Sequence, residues 1–163
     1  MNEKIHIGRL IQKKMKEHGQ KEKWLADKMQ CSTSKISRIC QCQSINTNIL
    51  IPICIYLEYN FFEDYAEYIN KHIEKGSSIV LLYRFITNEI HIGKLIHKIK
   101  KEKGIKSSWL APKIPYNLHD IHRIYDRKHI NANTLVNICI CLKSNIFELY
   151  VDYVNEQIKR KNA

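Results

Sequence analysis

Apolar residues in the first part of the chain recur at the spacing of a helix. Ile7, Leu10, Ile11 and Met15 repeat at steps of three, one and four, which gathers them on one helical face. Gly19 follows and predicts the end of that helix, because glycine enters the left-handed conformation without steric cost. Trp24, Leu25 and Met29 predict a second short helix over Lys21 to Met29. Ser32 or Thr33 can then cap a third, Thr33 to Cys40, by accepting an orphan backbone N–H, and Ile36, Ile39 and Cys40 bury it. After a loop from Gln41 to Asn46, a fourth helix turns Ile49, Leu50, Ile53, Cys54 and Leu57 inward; its Pro52 is tolerable if the helix begins only at Asn48 or Ile49. A fifth is predicted from about Phe62 to Ile73. Tyr56, Tyr59, Phe61, Phe62, Tyr65 and Tyr68 then form the core and end of helices four and five, and any exposed surplus would serve oligomerisation.

The same pattern returns. Residues 5–73 align without a gap on residues 90–158 at a constant offset of 85, with 33 of the 69 aligned pairs identical. IHIGRLI answers IHIGKLI, and Trp24/Trp109, Ile36/Ile121, Asn46/Asn131, Cys54/Cys139, Phe62/Phe147 and Tyr68/Tyr153 fall in register. The expected fold class is therefore all-α, two tandem five-helix domains from an internal duplication: domain 1 over residues 1–75, an apolar linker over 76–89 and domain 2 over 90–163. Gly76-Ser77-Ser78 opens the linker. The run Ile79 to Ile86 is too apolar to stand in water and is expected to be buried between the domains or against another chain; a helical turn and a short strand fit it equally. In the second copy Pro112 falls inside the second helix, acceptable if Ser107 or Ser108 caps it so that the proline stays within the first turn, and Pro115 replaces Gln30 at the turn.

Charge narrows the partner. The 163 residues carry 27 Lys and Arg against 16 Asp and Glu, a net +11, with 13 against 9 in residues 1–85 and 14 against 7 in residues 86–163. Both halves are basic, and a polyanion suits such a surface. Six irregularly spaced cysteines and a polar start, Met1-Asn2-Glu3-Lys4, point to a reducing, intracellular compartment, expected to be the cytoplasm; a nucleic-acid partner would make the place nucleoid-associated. The longest apolar run, Ile79 to Tyr83, is far short of the roughly 20 residues that cross a bilayer, so no membrane span is expected.

The series Gly8, Gly19, Trp24-Leu25-Ala26, Ser32, Ile36-Ser37-Arg38-Ile39 resembles the lambda-repressor-like (Cro/cI, Xre-type) helix-turn-helix domain, and the likeness covers both copies. Ala26 stands where that family has a small residue so that two helices cross closely. The resemblance implies a bacterial or phage-type transcriptional regulator that binds double-stranded DNA. The Lys21 to Met29 helix would support, and the next would enter the major groove with Thr33, Ser34, Lys35, Ser37 and Arg38 as readers. Lys21 and Lys23 stand before the supporting helix where the family often has a phosphate-binding glutamine, and Gln41, Ser44 and Thr47 match its phosphate-touching loop. Gln30 holds the turn position usually given to glycine, which calls for a non-glycine residue in an unusual conformation or a slightly different turn.

The residues support the same reading without the family. On a helix buried through Ile36 and Ile39, what remains outward can hydrogen-bond to bases or phosphates. In the second copy the outward set is Leu118, His119, Asp120, His122, Arg123, Asp126 and Arg127, with Lys128 and His129 beyond. None of the seven pairs from Met29/Ile114 to Lys35/Asp120 is identical. Either this copy reads a different half-site, or it has turned to dimerisation or another partner. DNA candidates there are His119, His122, Arg123, Arg127 and Lys128.

Cys40-x-Cys42 and Cys139-x-Cys141 lack the spacing of structural zinc ligands, and Cys54 and Cys139 fit an inward helix face as small hydrophobes. Five scattered glycines make no phosphate cradle, and no nucleophile–base pair stands out, so neither an enzyme nor a cofactor is expected. The reading is a covalent pseudo-dimer contacting two nearby DNA segments, with a homodimer through the linker or C-terminal helices as a further partner. The alternative is a protein-interaction module, antitoxin-like or anti-repressor, in which at least the second domain does not bind DNA.

Overall fold

A computed structural model describes residues 4–73, 90–114 and 116–163. Among these the chain is all-α, with ten α-helices and no strand. In the first half they are α1 (Ile7–Glu17), α2 (Glu22–Lys28), α3 (Thr33–Gln41), α4 (Thr47–Leu57) and α5 (Phe61–His72). In the second they are α6 (Ile92–Glu102), α7 (Ser107–Leu110), a 3-10 turn (Ala111–Lys113), α8 (Leu118–Tyr125), α9 (Ala132–Leu142) and α10 (Phe147–Asn162). The apolar run from Ile79 to Ile86, expected to be buried, and Pro115 lie outside the described residues.

The apolar spacing accounts for the packing. Ile7, Ile11 and Met15 of α1 are buried, and Gly19 ends the segment with φ +64°; Gly104 repeats this with φ +66°. Ser32 caps α3 by accepting the Lys35 N–H, as Asn117 caps α8 by accepting that of Asp120. Gln30 takes φ +52°, one of the two alternatives expected at this turn position.

Two expectations are corrected. Asn46 caps α4 at Thr47, so Pro52 stands in the second turn rather than near the first; it returns no N–H to the carbonyl of Asn48, a residue exposed to water. In the second half no serine caps the supporting helix. Lys106 is its N-cap without a side-chain bond, and the helix stops at Leu110, tightening into the 3-10 turn that carries Pro112. A proline early in a new helical turn loses no interior hydrogen bond.

The first and third helices of each half cross at glycine. A Cβ on Gly8 would lie 2.3 Å from the Cys40 carbonyl oxygen, and one on Gly93 would lie 2.3 Å from that of Ile124. Backbone bonds fix the same crossing: Ile7 and Gly8 donate to the carbonyls of Gln43 and Cys42, and Ile92 and Gly93 to those of Lys128 and Arg127. The segment following each third helix is thereby tied to the start of the first.

The halves meet through α4 and α5 against α9 and α10, and their contacts come in pairs 85 positions apart. Thr47 N–H donates to the Ile130 carbonyl at 3.0 Å, and Ala132 N–H to that of Ile45 at 3.0 Å, around the bridge between Asn46 and Asn131. Asn60 Nδ2 donates to the Val151 carbonyl and to Asn155 Oδ1; Asn145 Nδ2 does the same to Ala66 and Asn70. Phe62 stacks on Tyr150 at 4.6 Å and Tyr65 on Phe147 at 4.8 Å. All four rings are fully buried, and at roughly 1.5–3 kcal/mol each their burial is comparable to the net stability of a whole domain. Rings expected to close each domain, or to be left for oligomerisation, instead join the two halves around one continuous core.

Candidate nucleic-acid interface

The first candidate surface is built on α2 and α3, which pack on each other and, through α3, on α1. Leu25, Ala26, Ile36, Ile39 and Cys40 are buried, so the other side of α3 must face outward. Thr33, Ser34, Lys35, Arg38 and Gln41 are exposed there, Ser37 is half-buried, and Lys21 and Lys23 are exposed at the start of α2. Arg38 Nε donates to the Ser34 carbonyl at 3.4 Å, which lays the guanidinium along its own helix. The stretch 21–41 carries Lys21, Lys23, Lys28, Lys35 and Arg38 against Glu22 and Asp27, a net +3.

Two residues expected at phosphates are elsewhere. Thr47 is fully buried, its hydroxyl 2.9 Å from that of Tyr150. Ser44 donates to Asn131 Oδ1 at 2.7 Å and accepts the Asn133 N–H at 3.0 Å. Both serve the junction between the halves. Of the loop residues, Gln41 alone among these three remains on the presented side.

The second surface is built on α7, the 3-10 turn and α8. His119, His122, Arg123, Arg127 and Lys128 are exposed, as is Asp126, with Asp120 partly so. Lys106, Lys113, Arg123, Arg127 and Lys128 against Asp120 and Asp126 again give +3. Tyr125, where the first half has Cys40, anchors α8: its hydroxyl lies 2.8 Å from Ser107 Oγ, to which Lys100 Nζ donates, and burial raises its pKa. Burial likewise pushes the Cys40 thiol up to about 11, so it stays a protonated, apolar filler.

This surface is also the more apolar. Trp109 is 46% exposed, Leu118 46% and Tyr116 37%, whereas Trp24 packs against the core. Lys113 Nζ sits 4.6 Å over the Trp109 ring. Lys106 and Lys113 were not among the expected site residues, although their identity with Lys21 and Lys28 at the offset of 85 marked them.

Among the described residues no three His, Cys, Asp or Glu side chains cluster as a metal site, and no helix is long and apolar enough to cross a membrane. No known protein family, curated protein or solved structure matches the chain.

Proposed function

We propose that the protein is a sequence-specific DNA-binding transcriptional regulator of the lambda-repressor-like type, arisen by tandem duplication and acting as a covalent pseudo-dimer. The observation that carries this is the disposition of the two basic faces. The halves join through α4, α5, α9 and α10, while α3 packs mainly on α1 and α2, and α8 on α6 and α7, and both keep their polar sides exposed. Paired presentation of this kind suits two half-sites on one duplex. Thr33, Ser34, Lys35 and Arg38 would read base edges from α3. Lys21, Lys23 and Gln41 would hold phosphates, as would Arg123, Arg127 and Lys128 in the second half.

The test is selection of duplexes from a random pool, followed by anisotropy titration of the winners. A two-part site with fixed spacing is the expected outcome. With about six phosphate contacts, affinity should fall roughly a thousandfold between about 50 and 200 mM salt. Absence of binding even at low salt would sink the reading.

A second reading has its own support in the exposure of Trp109, Tyr116 and Leu118. Apolar side chains beside Asp120 and Asp126 suit a protein partner better than a phosphate backbone. In that case the second half grips a protein while the first reads DNA, and the selected site would be a single segment.

A further inference from the structure

Among the described residues the exposed large hydrophobic side chains are Trp109, Tyr116 and Leu118, and all fall within the stretch 109–118 of the second half. Single apolar residues on a surface are ordinary, but a group of them rimmed by charge marks a surface that another molecule covers. The elements that carry the three, α7, the 3-10 turn and α8, pack on one another, so the group sits on one compact unit. Two of the rings are held in place at the surface: Lys113 Nζ stands 4.6 Å over that of Trp109, and the Tyr116 hydroxyl lies 3.1 Å from Thr134 Oγ1. Side chains fixed before binding lose little freedom on it.

The first half shows what is particular to this surface. At the offset of 85, Lys106 and Lys113 answer Lys21 and Lys28, so the cations three residues before and four after the tryptophan are common to both halves. The apolar anchors are not. Trp24 packs against the core, Tyr116 stands where the first half has the half-buried Cys31, and Leu118 where it has Thr33. Asp120 likewise replaces Lys35. One basic frame thus carries a hydroxyl and a cation in the first half, apolar bodies and an acid in the second.

We infer that this surface docks an acidic segment of another protein, whose apolar side chains cover Trp109, Tyr116 and Leu118 while its carboxylates meet Lys106 and Lys113. Such a partner presupposes the reading in which the second half grips a protein. Charge decides among the occupants. A second copy of this chain, at +11, would set one basic face against another basic molecule. A nucleic-acid strand carries a phosphate at every nucleotide, so a backbone laid along α8 meets Asp120 and Asp126, and Leu118 offers no ring on which a base can stack. Carboxylates in a peptide are placed singly. They can pair with Lys106 and Lys113 and leave the aspartates facing water.

The experiment is panning of a phage-displayed random-peptide library on the full chain without DNA, followed by anisotropy titration of the winning peptides. Enrichment of Asp and Glu together with Leu, Phe or Trp is expected, with micromolar affinity that falls as salt is raised. Trp109→Ala and Leu118→Ser should each weaken the winners at least about tenfold, and so should Lys106→Glu combined with Lys113→Glu. Both lysines are exposed, so the charge variant keeps the parent's melting curve and tests the site even if an apolar variant unfolds. Lys21→Glu combined with Lys28→Glu should change peptide affinity by less than about twofold, because screening confines the effect of distant charges. No enrichment, winners without acidic residues, or undiminished binding to the Lys106 and Lys113 variant would each overturn the assignment. So would oligothymidylate that binds the same face and competes with the peptide, or a dimer of the parent chain in sedimentation that Leu118→Ser abolishes. If duplex selection returns a two-part site to which both basic faces contribute equally, the protein-gripping reading falls; a single-segment site without acidic winners sinks the acidic partner alone.

Discussion

Thr47 and Tyr150 reach each other hydroxyl to hydroxyl across the junction of the two halves, 2.9 Å apart and shut off from water. Removing either partner leaves the other buried with only a long contact, 3.4 Å, to His129 Nδ1. Thr47→Val and Tyr150→Phe should therefore each destabilise the protein by about 1–3 kcal/mol in urea unfolding. Because both changes delete one shared interaction, the double variant should cost clearly less than the sum; strict additivity would show that the bond is not formed in solution.

The crossings at Gly8 and Gly93 leave no room for a methyl group. Gly8→Ala would press a Cβ against two backbone carbonyls, those of Ile39 and Cys40, and neither can rotate away as a side-chain tip can. A loss of roughly 1–3 kcal/mol is expected, with α3 displaced from α1. Gly19→Ala meets nothing within 4 Å and loses only the ease of its left-handed φ, about 1 kcal/mol. Thermal melts of the two variants should rank them in that order.

Charge reversal separates the two basic faces. Lys35→Glu with Arg38→Glu should abolish DNA binding while leaving the melting curve intact, since both side chains are exposed. The same reversal at Arg123 and Arg127 should weaken binding less. Equal losses in anisotropy titrations would mean that both halves read DNA alike.

Stability should depend on pH through Asp64. Burial raises the pKa of its carboxyl, and the Tyr59 hydroxyl, 3.4 Å from Oδ1, only partly offsets this; Oδ2 has no partner. A carboxyl whose folded pKa lies above its unfolded value, near 4, favours the folded state in acid. That advantage is lost as pH rises through the unfolded and then the folded pKa. Asp64→Asn should consequently be the more stable form at neutral pH, and its margin over the parent should shrink below about pH 4. Parallel stability curves across this range would refute the account.

Much of the helical framework was legible because each helix buries a stripe set by its own residues. Ile7, Ile11 and Met15, or Ile36 and Ile39, declare their face without reference to anything distant. At Gln30 the resemblance left two alternatives, an unusual backbone conformation or a slightly different turn, and the positive φ is the first of them. Thr47 and Ser44 were misjudged for the opposite reason: their partners, Tyr150, Asn131 and Asn133, belong to the other half, and no local spacing announces a contact over such a separation. Phe62, Tyr65, Phe147 and Tyr150 posed the same difficulty, since a ring buried inside one five-helix set and a ring buried between two leave the same periodicity.

A surface that pairs with a second copy of itself must, in separate chains, carry every substitution at both ends of the contact. In this chain the two ends are encoded independently. Position 47 holds a threonine where position 132 holds an alanine, and α4 carries Pro52 where α9 has Asn137. Joining the ends also removes concentration from the assembly: each half meets its complement at an effective concentration set by the connecting segment and not by the amount of protein present. The two presented faces should accordingly stay paired at any dilution, and binding to a two-part target should show no dependence on a prior association step.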